Sequence, residues 1–377
     1  MKLLRNFSTI AITDTTSGII GSIFWLYLAS LLTVSNYGEI QFLISIAGFG
    51  VGIAMLANSN TVIVYEVKKR GIRSTLFLLT LIGGGIVSVF LFVFYSRTDI
   101  ILLTFGMIFG EMILGYLIGR KLFVKYGILL ISQKILMVIL AISLYFTIGL
   151  EGIIYGIAIS YVPIAIIVLK SFKGTSLNFS LLKENFGFVF NNYGTRLVVL
   201  SRRNLDKIII MPIFGFEILG EYALALQVYL AMILFANISF KILLYNDASG
   251  KNLKKFQIIV MIVSIIITIL GITVGPKILP ALFPQFTNSI EILPIMSLAV
   301  IPNTITLIFS SKFLGDEKSR FILIGTIAYA VIYLILVTVL GSTLGLMGLS
   351  VSFLISSIIY SVYLVIMYKT KSKKEKN

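Results

Sequence analysis

The chain of 377 residues has no cysteine and no histidine. Without cysteine there are no disulfides, no thiolate nucleophile and no sulfur ligand for a metal. Without histidine there is no imidazole to relay protons or to bind zinc or haem. No cofactor is expected. Charge is scarce as well: only 12% of residues are Asp, Glu, Lys or Arg, against roughly 25% in soluble domains. What remains is apolar, with 58% hydrophobic residues and a mean hydropathy of +1.04. The composition is that of an integral membrane protein. At about 20 residues per span there is room for a dozen helices, and no stretch is left for a soluble domain of the usual ~50–250 residues.

Apolar runs of this length exceed any strand, so each is read as helix. The expected spans are Phe7–Leu32, Tyr37–Val67, Leu76–Tyr95, Ile100–Leu122, Ile128–Phe146, Ile153–Leu169, Asn185–Gly220, Tyr222–Tyr245, Phe256–Leu279, Ile290–Phe313, Phe321–Leu340 and Leu346–Tyr368. The first is read as a retained helix, because its apolar run continues past Trp25 and holds Asp14. A longer polar connection, Lys170–Glu184, suggests a boundary between two lobes. The expected domains are residues 1–172 and 173–368, each of six helices, followed by a basic tail, 369–377.

The net charge of +16 invites a nucleic-acid reading, but the position of the charges argues otherwise. Taken alternately, one set of connections holds 23 of the Lys and Arg residues, while the other holds only Arg97 and Lys277. That is a positive-inside pattern over an even number of spans. It places both termini in the cytoplasm, makes this a multi-pass protein of the cell membrane, and leaves no nucleic-acid partner to infer.

The seventh span breaks the apolar rule. It carries Arg196, Arg202, Arg203, Asp206 and Lys207. One charge at the centre of a membrane helix costs about 2.5–3.5 kcal/mol on insertion scales, so such groups face a polar interior or a partner. Four cations cannot be neutralised by one anion within this helix. The span therefore reads as the basic wall of a water-filled cavity, with an anionic cargo. Arg196, Arg203 and Lys207 lie within about 40° of one another at 100° per residue and are the first choice for phosphate contacts. Arg202 and Asp206 are spaced i,i+4 as a local pair. The rival reading is that these charges are salt bridges between helices, or that Arg196 sits in the headgroup region.

Other polar groups at membrane depth extend this list. Asp14 lies in the TDTTS patch of the first span and is read either as a counter-ion or ion-coupling group, or as an Asp held by its Thr neighbours. Glu111 and Lys134 fall at similar depths on adjacent antiparallel spans and are expected to form a structural bridge, with an ion relay as the alternative. Asn192 is a candidate hydrogen-bond partner for sugar, or a link between helices.

The two halves of the chain repeat weakly. NYGEIQFLIS (Asn36–Ser45) aligns with ILGEYALALQ (Ile218–Gln227), VIVYE (Val62–Glu66) with ILLYN (Ile242–Asn246), and GLEGI (Gly149–Ile153) with GLMGL (Gly345–Leu349). Six spans per half give a parallel repeat about an axis along the membrane normal, an arrangement that places substrate between lobes opening alternately to each side.

On these motifs the chain resembles the polysaccharide biosynthesis or oligosaccharide flippase family (Wzx-type). The likeness rests on the six-plus-six spans, the YGE turn, the G-L-x-G openings and the charged seventh span with RRNLDKIIIMPIFGFEILGEY (Arg202–Tyr222). That family shares a superfamily with peptidoglycan-precursor flippases and multidrug and toxin exporters. The resemblance implies an all-α membrane fold with two pseudo-symmetric six-helix lobes around a central cavity. It implies a transporter, not an enzyme, that carries a polyprenyl-phosphate- or diphosphate-linked oligosaccharide from the cytoplasmic to the outer leaflet. Membrane lipids and glycan assembly enzymes are the partners it suggests. The chain is shorter than many relatives, and the two further spans usual in lipid II flippases are absent. Two rivals stand beside this reading. One is a multidrug or cation exporter of the same fold, which the basic seventh span opposes. The other is a membrane glycosyltransferase, for which the connections are too short.

Overall fold

The computed structural model describes the backbone of residues 2–57, 59–172, 176–248, 253–316 and 318–374. Within those ranges it describes side chains everywhere except at 2–8, 195, 199, 201–203, 248 and 371–374. The described chain is helical, without a strand. Its helices are α1 (Lys2–Leu31), α2 (Val34–Ala54), α3 (Ser59–Val67), α4 (Arg73–Tyr95), α5 (Thr98–Gly119), α6 (Phe123–Ile148), α7 (Leu150–Ile159), α8 (Val162–Ser171) and α9 (Phe179–Glu184). They continue with α10 (Phe186–Met232), α11 (Leu234–Ala248), α12 (Lys254–Thr273), α13 (Gly275–Leu282), α14 (Thr287–Leu298), α15 (Val300–Gly315) and α16 (Ser319–Lys374).

Apart from the short α9, these pieces make the twelve expected passes. α2 with α3, α7 with α8, the second limb of α10 with α11, α12 with α13, and α14 with α15 are broken spans. α10 and α16 each take part in two passes, turning at Gly215 (φ 83°) and Gly345 (φ 57°). The seventh span therefore ends at Gly215 and not at Gly220, which corrects the expected boundary. Pro212 has no N–H to give the ladder, and Gly215 takes a φ that other residues avoid. The second span is also not the single helix Tyr37–Val67. It breaks after Ala54, where the Ala57 N–H leaves the helix ladder and donates to the Thr80 hydroxyl of α4 at 2.7 Å. The polar connection before the seventh span contains α9, whose N-cap Asn178 accepts from the Leu181 N–H. The Asn178 N–H in turn donates to Thr75 Oγ1 of α4 at 2.7 Å.

The repeat is visible in local geometry. Gly149 (φ 76°) turns α6 into α7, and Gly345 turns the two limbs of α16, both at positive φ. Three residues later, Gly152 lies against the carbonyl of Leu144, and Gly348 against the carbonyl of Leu340. In each half, then, the last two passes are joined by a positive-φ glycine and a second glycine that lets the backbones touch. Gly345 also has ψ −134°, in a region that non-glycine residues enter only with strain. Gly345→Ala is expected to destabilise the folded protein by about 1–3 kcal/mol. Gly85→Ala, where an added methyl meets open space, is expected to be neutral or to stabilise slightly, by up to about 1 kcal/mol. Thermal unfolding of both purified variants in detergent checks this.

By packing, the chain divides into two units. One comprises residues 1–21 and 40–208, the other 22–39 and 209–377. The first is built on α3, α4, α5, α6 and α7, with α5 in contact with all the others. Its small residues set the approach: an added methyl at Gly115 or Gly119 of α5 would strike α3, and at Gly106 or Gly110 it would strike the ring of Tyr161. In the second unit α15 lies between α11, α12 and α16. There Thr304 Oγ1 meets Ser264 Oγ at 2.9 Å, and Asn303 Nδ2 donates to Ser357 Oγ at 3.1 Å.

Candidate functional site

Within the first unit, α10 packs along α2. Tyr193 donates its hydroxyl to the carbonyl of Ile53 at 2.8 Å. An added methyl at Gly52 would meet Leu197 and Leu200, and one at Gly48 would meet Asn204. Residues 193, 197, 200 and 204 recur at alternating steps of four and three, so they form one packing stripe. Arg196 and Lys207 lie about 70° and 50° from the centre of that stripe at 100° per residue, so the helix packs against α2 by one face and carries these two cations to one side of it.

Arg196 meets Glu111 of α5, with Nη2 donating to Oε1. Glu111 lies eight residues inside the end of α5 at Gly119, about 12 Å along the helix axis. The contact therefore ties Arg196 to a point about two turns inside the apolar helix α5. Spacing along the sequence had paired Glu111 with Lys134. The ion pair in the structure instead joins the fourth span to the seventh, and Lys134 Nζ approaches Met137 Sδ at 3.9 Å. Arg196 and Glu111 keep 26% and 23% of their side-chain surface, so neither is sealed into a core.

Asp14 accepts a short hydrogen bond from the hydroxyl of Tyr126, in the first turn of α6. The contact depends on Gly127, since an added methyl there would come within 2.6 Å of Thr13 Oγ1. Of the hydroxyl neighbours of Asp14, Thr15 donates to the Ala11 carbonyl and Ser17 to the backbone carbonyl of Asp14. Sequence reading overlooked Tyr126, because a tyrosine at a membrane interface is unremarkable.

The other expected site residues divide. Asn192 donates to the Phe188 carbonyl of its own helix at 2.9 Å. Asp206 is buried, and its carboxylate accepts from the Lys207 N–H at 2.8 Å. Arg202 and Arg203 have helical backbones in α10, but their side chains lie outside the described residues, and with them the Arg202–Asp206 pair.

A second charged cluster lies at the loop end of the same unit. Glu66 accepts from Arg73 Nη1 and from Arg120 Nε, each at 2.8 Å. Arg73 also donates to the Ser171 carbonyl at 2.8 Å. Both guanidiniums lie over the ring of Tyr116, at 4.6 and 5.2 Å. Arg73 and Arg120 counted in the sequence only as topology charges, yet Arg73 is 3% exposed. The available signal was Glu66, an acid between an apolar run and the KKRGIR loop.

No family model matches the chain, and no curated protein matches it by sequence. Solved structures do. The fold is the twelve-helix fold of the MATE and MurJ transporters. An inward closed conformation of the lipid II flippase MurJ superposes with a TM-score of 0.78 at 14% identity, covering 96% of this chain and 87% of that one. An inward-facing multidrug resistance MATE family transporter of the MOP superfamily gives 0.68 at 15% identity, covering 97% and 95%. The Vibrio cholerae MATE transporter VcmN in its bent form gives 0.60 at 14% identity, covering 98% and 99%. At these identities the likeness is one of fold.

Proposed function

We propose that this protein is a flippase that carries a polyprenyl-phosphate- or diphosphate-linked oligosaccharide from the cytoplasmic to the outer leaflet of the cell membrane. Two six-helix lobes, residues 1–172 and 173–368, would give alternating access, with both termini in the cytoplasm. The observation that carries the reading is Arg196 tied by Glu111 to a point inside the apolar helix α5. By sequence the seventh span carries four cations and one anion, Asp206, and Glu111 brings a second anion to Arg196. A guanidinium suits phosphate because its planar fork makes two parallel bonds and keeps its charge. Arg196, Arg203 and Lys207 are the proposed phosphate contacts, with Arg202 and Asn192 alongside. Asp14, Glu111, Lys134 and Asp206 are proposed for ion coupling or charge balance. The sugar head needs a polar path, because its hydroxyls would lose their hydrogen bonds in hydrocarbon. Likeness to a lipid II flippase supports a lipid-linked cargo, and likeness to MATE transporters supports export more generally.

The test is made in the native host. The gene is deleted, lipid-linked sugars are extracted, and strains restored with wild type or with Arg203→Ala are compared. A polyprenyl-linked glycan is expected to accumulate on the cytoplasmic side, to be cleared by wild type and not by the variant; its mass identifies the cargo. An unchanged glycolipid pool with altered drug sensitivity would assign the protein to the multidrug exporters of the same fold.

A further inference from the structure

The helices α3 and α5 run parallel and end side by side. An added methyl at Gly115 would strike Ser59 and Val62, and one at Gly119 would lie 2.7 Å from Glu66 Cβ. Both helices close with the same motif. After α3, the Arg70 N–H donates to the Tyr65 carbonyl at 3.0 Å and the Lys69 N–H to the Glu66 carbonyl at 3.2 Å. After α5, the Leu122 N–H donates to the Leu117 carbonyl at 2.8 Å and the Lys121 N–H to the Ile118 carbonyl at 2.9 Å. The motif needs one residue at positive φ, and glycine is its usual occupant. Here lysine takes that place twice, Lys69 at 52° and Lys121 at 58°.

Helix C-termini favour cations, but that does not account for these two. A lysine in the last turn would complement the helix dipole with an ordinary backbone, and glycine at these positions would avoid the strain. The positive-inside pattern is likewise indifferent to φ. Both lysines are exposed, and neither side chain has a hydrogen bond or ion pair among the described residues. Arg120, the residue before Lys121, is fixed by one edge: its Nε donates to Glu66 Oε2 at 2.8 Å, and its Cζ lies 5.2 Å from the centre of the Tyr116 ring. Its two Nη groups have no partner among the described residues, and half of its side-chain surface is open. A guanidinium held in this way presents its fork already ordered. Glu66 is the one acid in 62–73 and 112–125, and it is already shared by two arginines.

The rim of this basic patch is apolar. Val67 and Val124, next to Lys68 and Lys125, are 58% and 67% exposed. A soluble anion gains nothing from such a rim, whereas a lipid brings chains that cover it. We propose that the ends of α3 and α5 form a site for the phosphate of an anionic phospholipid, with Arg120, Lys69 and Lys121 as its contacts. The chain accepts backbone strain at two positions in order to hold cations there. The leaflet is the cytoplasmic one on the reading of the basic connections.

The test uses the purified full chain, ordinary phospholipids and no cargo, so its failure leaves the flippase reading untouched. Native mass spectrometry of protein released from detergent micelles counts the dioleoyl phosphatidylglycerol or dioleoyl phosphatidylcholine retained across a titration. Phosphatidylglycerol is expected to be retained in preference. Lys69→Gly/Lys121→Gly is expected to weaken its retention about fivefold for each lysine removed, and Arg120→Ala to weaken it as well. The glycine variant is expected to unfold in detergent at the same or a higher temperature, because it relieves two side chains at positive φ. A lysine with only a structural role would give no loss of retention. If gel filtration shows that the glycine variant is not folded, Lys69→Asn/Lys121→Asn supplies a residue that tolerates this φ. Equal retention of the two lipids, or retention that ignores the substitutions, overturns the proposal. Inorganic phosphate that competes as well as the lipid would make the occupant a soluble anion and overturns it too.

Discussion

Glu66→Ala is expected to destabilise the protein by about 3–5 kcal/mol, the usual loss when one partner of a buried ion pair is removed. Glu66 is the shared acceptor of two guanidiniums, and its carboxylate is 7% exposed. Removing it leaves Arg73 buried with the Ser171 carbonyl and the Tyr116 ring as its described partners, and Arg73 Nε already lacks a hydrogen-bond partner among the described residues. The two arginines should not respond alike. Arg120 keeps 50% of its side-chain surface, so Arg120→Ala is expected to cost under about 1 kcal/mol. Arg73→Ala should approach the cost of Glu66→Ala, because it leaves a carboxylate that is 7% exposed with only the half-exposed Arg120 as its described ion-pair partner. Thermal denaturation in detergent orders the three. Equal losses for Arg73→Ala and Arg120→Ala would mean that burial does not set the energy of this cluster. The double replacement Glu66→Leu/Arg73→Leu should recover much of the loss, since a buried pair is often no better than apolar residues of like volume.

The number of passes was legible because it depends on local quantities: runs of hydropathy and the alternation of basic connections. The turns at Gly149 and Gly345 were legible as a matched pair, since positive φ leaves a glycine in the sequence. The break after Ala54 was not. Neither proline nor glycine occupies Met55–Asn58, and the freed Ala57 N–H is satisfied by Thr80, 23 residues away on another helix. The end of the seventh span was misplaced because Gly215 and Gly220 are equally plausible turn residues by composition. One makes the turn and the other lets the backbone pass close to Val34 of α2. The charges show the same limit. Spacing on neighbouring spans offered Lys134 as partner for Glu111, but the partner lies 85 residues away on a helix that reaches it by packing against α2. Local periodicity shows that a charge must find a partner; tertiary packing decides which.

Arg196 is the position at which pairing and cargo binding can be separated. Arg196→Ala is expected to abolish most transport, losing roughly 2–5 kcal/mol of interaction with the anionic group, or about 30-fold and more. That alone does not identify the role, because the same change strands Glu111 inside the apolar helix α5. The double variant Glu111→Gln/Arg196→Gln removes both charges together. If Arg196 serves only to hold α5 to α10, the double variant should regain stability and transport together. If the guanidinium touches the phosphate, stability should return while transport stays near the level of Arg196→Ala. The second outcome is expected, because the pair is not saturated: Glu111 Oε2 and Arg196 Nε, both buried, have no hydrogen-bond partner among the described residues. Arg196 thus holds a donor in reserve beside the one it gives to Glu111, and a phosphate oxygen is the kind of acceptor that would use it. Glu111→Gln alone discriminates further. It keeps the shape of the contact and removes the competing anion, so cargo affinity should rise while turnover falls through slower release. Lipid-linked oligosaccharide binding measured beside flipping in reconstituted vesicles reads the two effects apart. Unchanged affinity in Glu111→Gln would mean that the carboxylate does not compete for Arg196 and that the pair is a structural strut.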